Sequence, residues 1–588
     1  MKQIRTNTPK TKEMSSQIEK MRHTLSHCLA AAVLNLYPKT KLGIGPVIEN
    51  GFYYDFLFES PLSPDDLIKI ENEMRSVIKQ KMSLRQFNLS RDEALAKEKD
   101  QPFKFELIKD LGDKELSFYS LESPNQPNSF VDLCAGPHLE STDQVGAFKL
   151  THLAGAYWKG DEKNQMLTRI YGVAFETQEE LDQYLKQIDE ATKRDHRKLG
   201  VTLDLFTFSD LVGAGLPLWT PKGTIVRDLL DDFVWSLRRA KGYEKVEIPH
   251  ITKKDLYVKS GHWDKFKDEL FRINTREGHE FAMKPMNCPH HTQIFARKSW
   301  SYKEMPQRYA NTTFVYRDEQ TGELNGLSRV RAITQDDAHV FCREDQIKDE
   351  ILAIWDIVDD FYGKFGIKTA ARLSLGDQSQ PDKYLGDAKT WDKMENTLRE
   401  VVKIKKTTAS EAIGEAAFYG PKIDFMGIDS LGREWQVATI QLDMNMPTRF
   451  GLSFTNADGH DETPIMIHAA IMGSIERFMS ILIEHYAGVF PVWLAPVQAV
   501  VVPIADRHNG YATTIVDQLK ASGVRVNLDL RRETLGKRIR DLEMQKVPFV
   551  LVIGDKEVES KKIAVRSRDD GDLGAKSVKE LIKTNFQF

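Results

Sequence analysis

The chain is short of cysteine, of long apolar runs and of net charge. Four cysteines in 588 residues, Cys28, Cys134, Cys288 and Cys342, stand far apart. That spacing excludes a disulfide framework and suits a reducing compartment. No stretch reaches the ~18 consecutive apolar residues of a membrane-spanning helix. The opening MKQIRTNTPKTKEMSSQIEK has no apolar run of the kind that marks a secretory signal. No membrane partner is expected, and the expected location is the cytoplasm. Against 82 basic residues stand 86 acidic ones, a net charge of −4, which excludes a protein coated in positive charge. Contact with nucleic acid would have to come from local basic patches. No GxGxxG lies between a strand and a helix, and no P-loop is present, so a dinucleotide crevice is not expected.

What is present is a globular composition, 41% hydrophobic and 29% charged. At about 150 residues per domain the length suits three or four domains. Residues 1–20 are polar and expected to be loose. Over 21–176 the pattern is mixed α+β: a helix from Met21 stopped at Pro38, a strand-rich piece at GIGPVIENGFYYDF, a largely helical stretch over 62–99, and a loop entering a helix at 132–140. ETQEELDQYLKQIDEATKRDHRK makes 177–198 a linker helix ending in a basic cluster. In 199–489 long helices mix with hairpin-joined strands, which points to an antiparallel sheet. From 490 to 588 short strands alternate with helices, a small α/β domain with a largely parallel sheet.

Three constellations carry chemistry. FVYRDE places Arg317 at the end of a strand, and the returning LSRVRAIT carries Arg329 and Arg331. Forked guanidiniums suit a triphosphate or a carboxylate; alone, the pattern fits a solvated charged hairpin equally well. GSIERFMSILIEHY is an amphipathic helix with Arg477 near its start, by itself an ordinary surface arginine. His23 and His27, spaced i, i+4, and Cys134 and His138, spaced likewise, read as a zinc site or as core histidines.

The Arg-x-Glu hairpin and the GSIERF helix together resemble motifs 2 and 3 of the class II aminoacyl-tRNA synthetases, and KGYEKVEIPHI resembles motif 1. MKPMNCPHH, TQDDAHVFC, AFYGPKIDF and WQVATIQLDMNMP, with the stretch from His468 to Arg477, narrow the resemblance to the threonyl-tRNA synthetases, from about Met21 to the C-terminus. The resemblance implies a class II antiparallel-sheet catalytic domain over 199–489, an editing domain over 21–176 and an anticodon-binding domain over 490–588. It implies activation of L-threonine with ATP, charging of tRNA(Thr), hydrolysis of mischarged Ser-tRNA(Thr), and a homodimer. Alternatives from other classes are a class II synthetase for another amino acid and a catalytically inactive, synthetase-like RNA-binding protein. The small ubiquitin-like domain that opens many family members is not expected here.

Residue by residue, the resemblance implies one Zn²⁺ per chain on Cys288, His339 and His468, with an open position for the substrate. His291 is expected beside it as a packing neighbour. Asp337, Tyr419, Gln335 and Gln441 are implied for threonine. Arg317, Glu319, Arg329, Ile333, Lys422, Gln436 and Arg477 are implied for ATP with Mg²⁺, with Arg317, Arg477 and Gln441 nearest the chemistry. His23, His27, Cys134 and His138 would edit without a required metal, with Asp132 as partner of one histidine. Arg532, Arg540, Glu557 and Arg566 would read the anticodon, although such runs are commonly solvated charged faces. Three positions depart from the family: Ile333 for a stacking phenylalanine, His290 for glycine and Arg532 for asparagine.

Overall fold

The computed structural model describes residues 16–112, 115–123, 126–266 and 268–586. The chain divides into two compact units, Met1–Asp189 and Glu190–Phe588. For the expected loose segment, residues 1–15 lie outside the described residues. The first helix, Gln17–Leu36, begins four residues before Met21, because Ser16 and Glu19 form a capping box that satisfies its first amides.

In the first unit this helix and Pro64–Lys79 cover a five-stranded antiparallel sheet in which Lys41–Leu42, Gly51–Leu57, Met166–Phe175 and Ala147–Tyr157 are neighbours in that order. Leu25, Leu29, Phe52, Phe56 and Ile170 fill the core between the layers. Two expectations are corrected here. Within 62–99, Ser83–Ser90 is a strand, paired along its whole length with Glu115–Ser123. The partner is some thirty residues away, beyond the reach of local periodicity. After the strand Gln126–Leu133, residues 134–139 enter no helix. Gly136 takes φ +68°, where a Cβ would sit 2.4 Å from the Tyr119 hydroxyl, and Pro137 has no amide to donate.

The second unit is built on an eight-stranded sheet. Its order is Glu244–Lys245, Gln307–Tyr316, Ala332–Cys342, Ile465–Ala470, Glu434–Asp443, Lys422–Ile428, Lys368–Leu375 and Ala409–Ile413. All pairings are antiparallel except the one at each edge. Strand alternation divides Ala332–Cys342 between two faces. Ala338, Val340 and Cys342 join the large apolar core with helices Pro221–Ala240, Ile347–Phe365 and Ile475–His485. Ile333, Gln335, Asp337 and His339 alternate with them and turn to the other face. Arg329 and Arg331 precede this strand instead of lying on it.

At the C-terminus the sheet order is Val526–Leu528, Ala499–Pro503, Phe549–Ile553, Ile563–Ser567 and Gly571–Lys576. The first three are parallel, as expected; the last two add an antiparallel hairpin. GDLGAK offers one large apolar residue and so gives no strand pattern.

Candidate active site and its relatives

Register places the candidate residues. His339 pairs with His468, His468 with Gln441, and Gln441 with Lys422, a single row across four strands. Residues directly opposite in a sheet point to the same face, so residues scattered over 130 positions of sequence share one surface. Cys288 joins them from the first turn of helix Cys288–Phe295.

The Cys288, His339 and His468 ligand atoms all lie within 4.8 Å of one another, and all three residues are buried. His339 Nε2 and His468 Nδ1 face each other at 3.0 Å. The outer nitrogens are held: His468 Nε2 lies 3.0 Å from Asp443 Oδ2, and His339 Nδ1 lies 2.8 Å from His291 Nδ1. A carboxylate behind a histidine, with the inner nitrogen bare, is the usual support of a metal-bound imidazole. Burial pushes the Cys288 thiol well up and the His339 imidazole well down from their ordinary pKa values. One sulfur and two imidazole nitrogens in a dry pocket fit zinc.

Beside them, Asp337 accepts from Asn287 Nδ2 at 3.0 Å, and burial raises its pKa. The Tyr419 hydroxyl donates to Gln441 Oε1 at 2.8 Å. Lys284 is fully buried, donates to Thr313 Oγ1 at 3.0 Å, and is pushed down to about 8 by burial. Asn287, Asp443 and Lys284 were not singled out from sequence; a lone polar residue has no spacing to mark it.

Farther along the same face opens a cavity of about 510 Å³. Arg317, Glu319, Arg329, Ile333, Gln335, Gln436 and Arg477 line it. Arg317 follows its strand directly; its Nε is buried without a hydrogen-bond partner among the described residues. Arg477, in the first turn of its helix, lies over the Trp435 ring at 5.7 Å. The remaining charges are already engaged. Arg329 is paired with Glu319 at 2.7 Å and Glu323 at 3.1 Å. Lys422 is not part of this lining and is paired with Asp424 at 2.6 Å; Gln436 also donates to Asp424.

Models of known families match three stretches. Residues 271–486 match the tRNA synthetase class II core domain (G, H, P, S and T). Residues 498–585 match the anticodon binding domain, and 116–171 the threonyl and alanyl tRNA synthetase second additional domain. The chain is 48% identical over 564 residues to a threonine--tRNA ligase of Acetivibrio thermocellus, covering 95% of this chain and 87% of the relative. It is 47% identical to one from Thermus thermophilus over 94% and 86%.

The chain belongs to the threonine--tRNA ligase family.

Among solved structures, the RNA binding domain of threonyl-tRNA synthetase from Cryptosporidium parvum Iowa II matches at TM-score 0.64 and 36% identity, over 66% of this chain and 97% of that one. Giardia lamblia prolyl-tRNA synthetase, at TM-score 0.54 and 17% identity, shares the fold. In the first unit of this threonine--tRNA ligase family member, His23, His27, Cys134 and His138 bring their ligand atoms within 4.8 Å. Cys134 Sγ is 3.3 Å from both His23 Nε2 and His138 Nε2. The carbonyl of Pro137 accepts from His23 Nδ1 at 3.2 Å, which leaves Nε2 to accept from the thiol. Asp132 faces one histidine and two further groups. It is 3.8 Å from His27 Nε2, whereas Lys104 Nζ lies 2.5 Å and the Tyr54 hydroxyl 2.5 Å from its oxygens. Neither Lys104 nor Tyr54 was singled out from sequence.

Burial lowers the pKa of His23, His27 and His138 below the ordinary 6.5. Neighbouring histidines add to the effect at His27 and His138. The folded state thus holds them neutral while the unfolded chain takes up protons below about pH 6.5. Their contribution to stability is complete above pH 6.5 and is lost as pH falls. The urea midpoint for unfolding of the first unit should drop between pH 7.5 and 5.5, and less so in His138→Gln; equal slopes in both proteins would contradict this.

In the C-terminal domain, Arg532, Arg540 and Arg566 are exposed, and Arg566 is 3.4 Å from Glu543. Glu557 instead accepts from the Gly554 amide at 2.9 Å and caps its own helix.

Proposed function

We propose that the chain activates L-threonine with ATP, transfers it to tRNA(Thr), and hydrolyses Ser-tRNA(Thr) at a second site. One observation carries the reading: a cavity holding two arginines without acidic partners among the described residues, on the same strand face as Asp337 and the Cys288, His339, His468 group. The threonine carboxylate attacks the α-phosphorus of ATP and pyrophosphate leaves. Arg317 holds the α-phosphate, where charge develops. Arg477 lies against adenine and reaches the γ-phosphate, with Arg329, Gln436 and Lys422 around the nucleotide and Mg²⁺ on its phosphates. Asp337 receives the substrate ammonium, and Gln335, Tyr419 and Gln441 close the pocket. Cys288, His339 and His468 would hold Zn²⁺, which supplies a Lewis acid able to bind an amine and a hydroxyl together. Valine lacks that hydroxyl, and an apolar pocket alone separates such a pair poorly.

His23, His27, Cys134 and His138 are proposed to orient water and the seryl ester, since serine passes the hydroxyl test. The proposed division is editing over 21–176, a linker over 177–198, catalysis over 199–489 and anticodon reading over 490–588. Two copies would pair through 241–251, and a cytoplasmic location suits this work.

ATP–pyrophosphate exchange with threonine, serine and valine tests the first site, with zinc content measured alongside. Exchange is expected with threonine, weaker with serine and negligible with valine; no threonine-dependent exchange would end the proposal. His27→Ala should let Ser-tRNA(Thr) accumulate with threonine activation intact. Ile333 gives the adenine site an aliphatic wall. Ile333→Phe should lower the KM for ATP about fivefold, the scale of one stacked ring; an unchanged KM would show that the wall does not touch the base.

A further inference from the structure

The RDHRK segment that follows the long helix plays no part in the chemistry above, yet its histidine is deeply placed. His196 is 4% exposed. Its Nδ1 lies 2.6 Å from Glu484 Oε1, and its backbone amide donates to the same oxygen at 3.2 Å. On the other side, the Leu327 amide donates to His196 Nε2 at 3.1 Å. A backbone amide can only donate, so Nε2 is bare and Nδ1 carries the proton. Each end of the ring therefore has one fixed job.

The two elements it joins both serve the cavity. Glu484 ends helix Ile475–His485, whose first turn carries Arg477. Its other oxygen is 2.6 Å from Arg433 in the turn before Trp435. Leu327 lies in the turn closed by the Asn325 amide donating to the Arg329 carbonyl, and Ser328 and Arg329 form part of the cavity wall. Gly326 in that turn has φ +50°, and a Cβ there would stand 2.3 Å from His196 Nε2 and 2.7 Å from Arg197 Cγ. The turn is seated on this side chain.

Asp195, His196 and Glu484 also lie close enough together to hold a cation. Their atoms are otherwise committed: Asp195 is paired with Arg197 at 2.6 Å, Glu484 with Arg433, and the imidazole with the Leu327 amide.

We infer that His196 is a positioning residue for the nucleotide, bridging the turn that presents Arg329 to the helix that presents Arg477. This rests on the ATP reading proposed above. Without the imidazole, the buried Leu327 amide loses its partner, Glu484 Oε1 keeps only the backbone amide of residue 196, and the turn is free to lift from the helix. In the threonine pocket, Gln335, Asp337, His339, Gln441 and His468 lie on sheet strands, Cys288 on its own helix, and none of them is held by this bridge.

The test is steady-state pyrophosphate exchange with the full chain. His196→Ala should raise the KM for ATP roughly tenfold, the scale of one net buried hydrogen bond. The KM for threonine and the hydrolysis of Ser-tRNA(Thr) should change less than twofold. His196→Gln, whose amide oxygen can accept from Leu327, should recover part of the ATP effect. If His196→Ala does not fold, Glu484→Gln substitutes, with a rise of about threefold expected in the KM for ATP alone. An unchanged KM for ATP, or equal rises for ATP and threonine, would overturn the inference. So would a second zinc per chain that His196→Ala removes. A native enzyme without threonine-dependent exchange would instead defeat the functional reading beneath it.

Discussion

Arg317→Ala should lower threonine-dependent pyrophosphate exchange by several hundredfold, mostly in kcat. The guanidinium is placed before substrate arrives: half-buried, Nε without a partner among the described residues, its Cζ 5.5 Å from the centre of the Phe266 ring. A preorganised donor aimed at developing charge is worth about 10²–10³ in rate, because it needs no reorganisation during the reaction. Arg317→Lys should rescue little, since an ammonium does not reproduce the planar fork. Zinc content should be unchanged, which separates loss of phosphate binding from collapse of the threonine site. A loss below fivefold would mean that Arg317 is the solvated hairpin residue its local sequence also allows.

Lys104→Met should have the largest effect on stability. Lys104 and Asp132 meet at 2.5 Å with both side chains 3% exposed. Removing one member of a buried pair leaves the other charge uncompensated, at a cost of about 3–5 kcal/mol. Removing both charges is far milder, so Lys104→Met with Asp132→Asn should recover most of the loss in a urea titration. Tyr54 keeps a partner for its hydroxyl in that double variant, because the asparagine oxygen still accepts. If the double variant is no more stable than Lys104→Met, the ion pair is not the source of the loss.

These two residues show what sequence made visible and what it did not. Arg317 was legible because a strand, a turn and a returning strand lie within thirty residues, and because the whole segment resembles a family motif. The grouping of Cys288, His339 and His468 was legible by resemblance alone: they share no local spacing, and only the register of the sheet brings two of them together. Lys104 was not legible. It sits on the short helix Pro102–Asp110, and its partner lies on a strand nearly thirty residues later. The strand at Ser83–Ser90 and the final hairpin escaped for a related reason: each is defined by its pairing partner more than by its own residues. Glu557 has a local role that the resemblance did not give: one of its oxygens caps its own helix.

The row that runs from His339 through His468 and Gln441 to Lys422 also sets what this sheet can tolerate over evolutionary time. Exchange of one side chain alters one group. A single inserted or deleted residue in any of these strands, uncorrected by a bulge, would turn every later side chain of that strand to the opposite face. Polar ligands would then enter the apolar layer, and Ala338, Val340 or Ile467 would enter the pocket. Changes in length should therefore be confined to the connections between strands, while the strands themselves vary only by substitution.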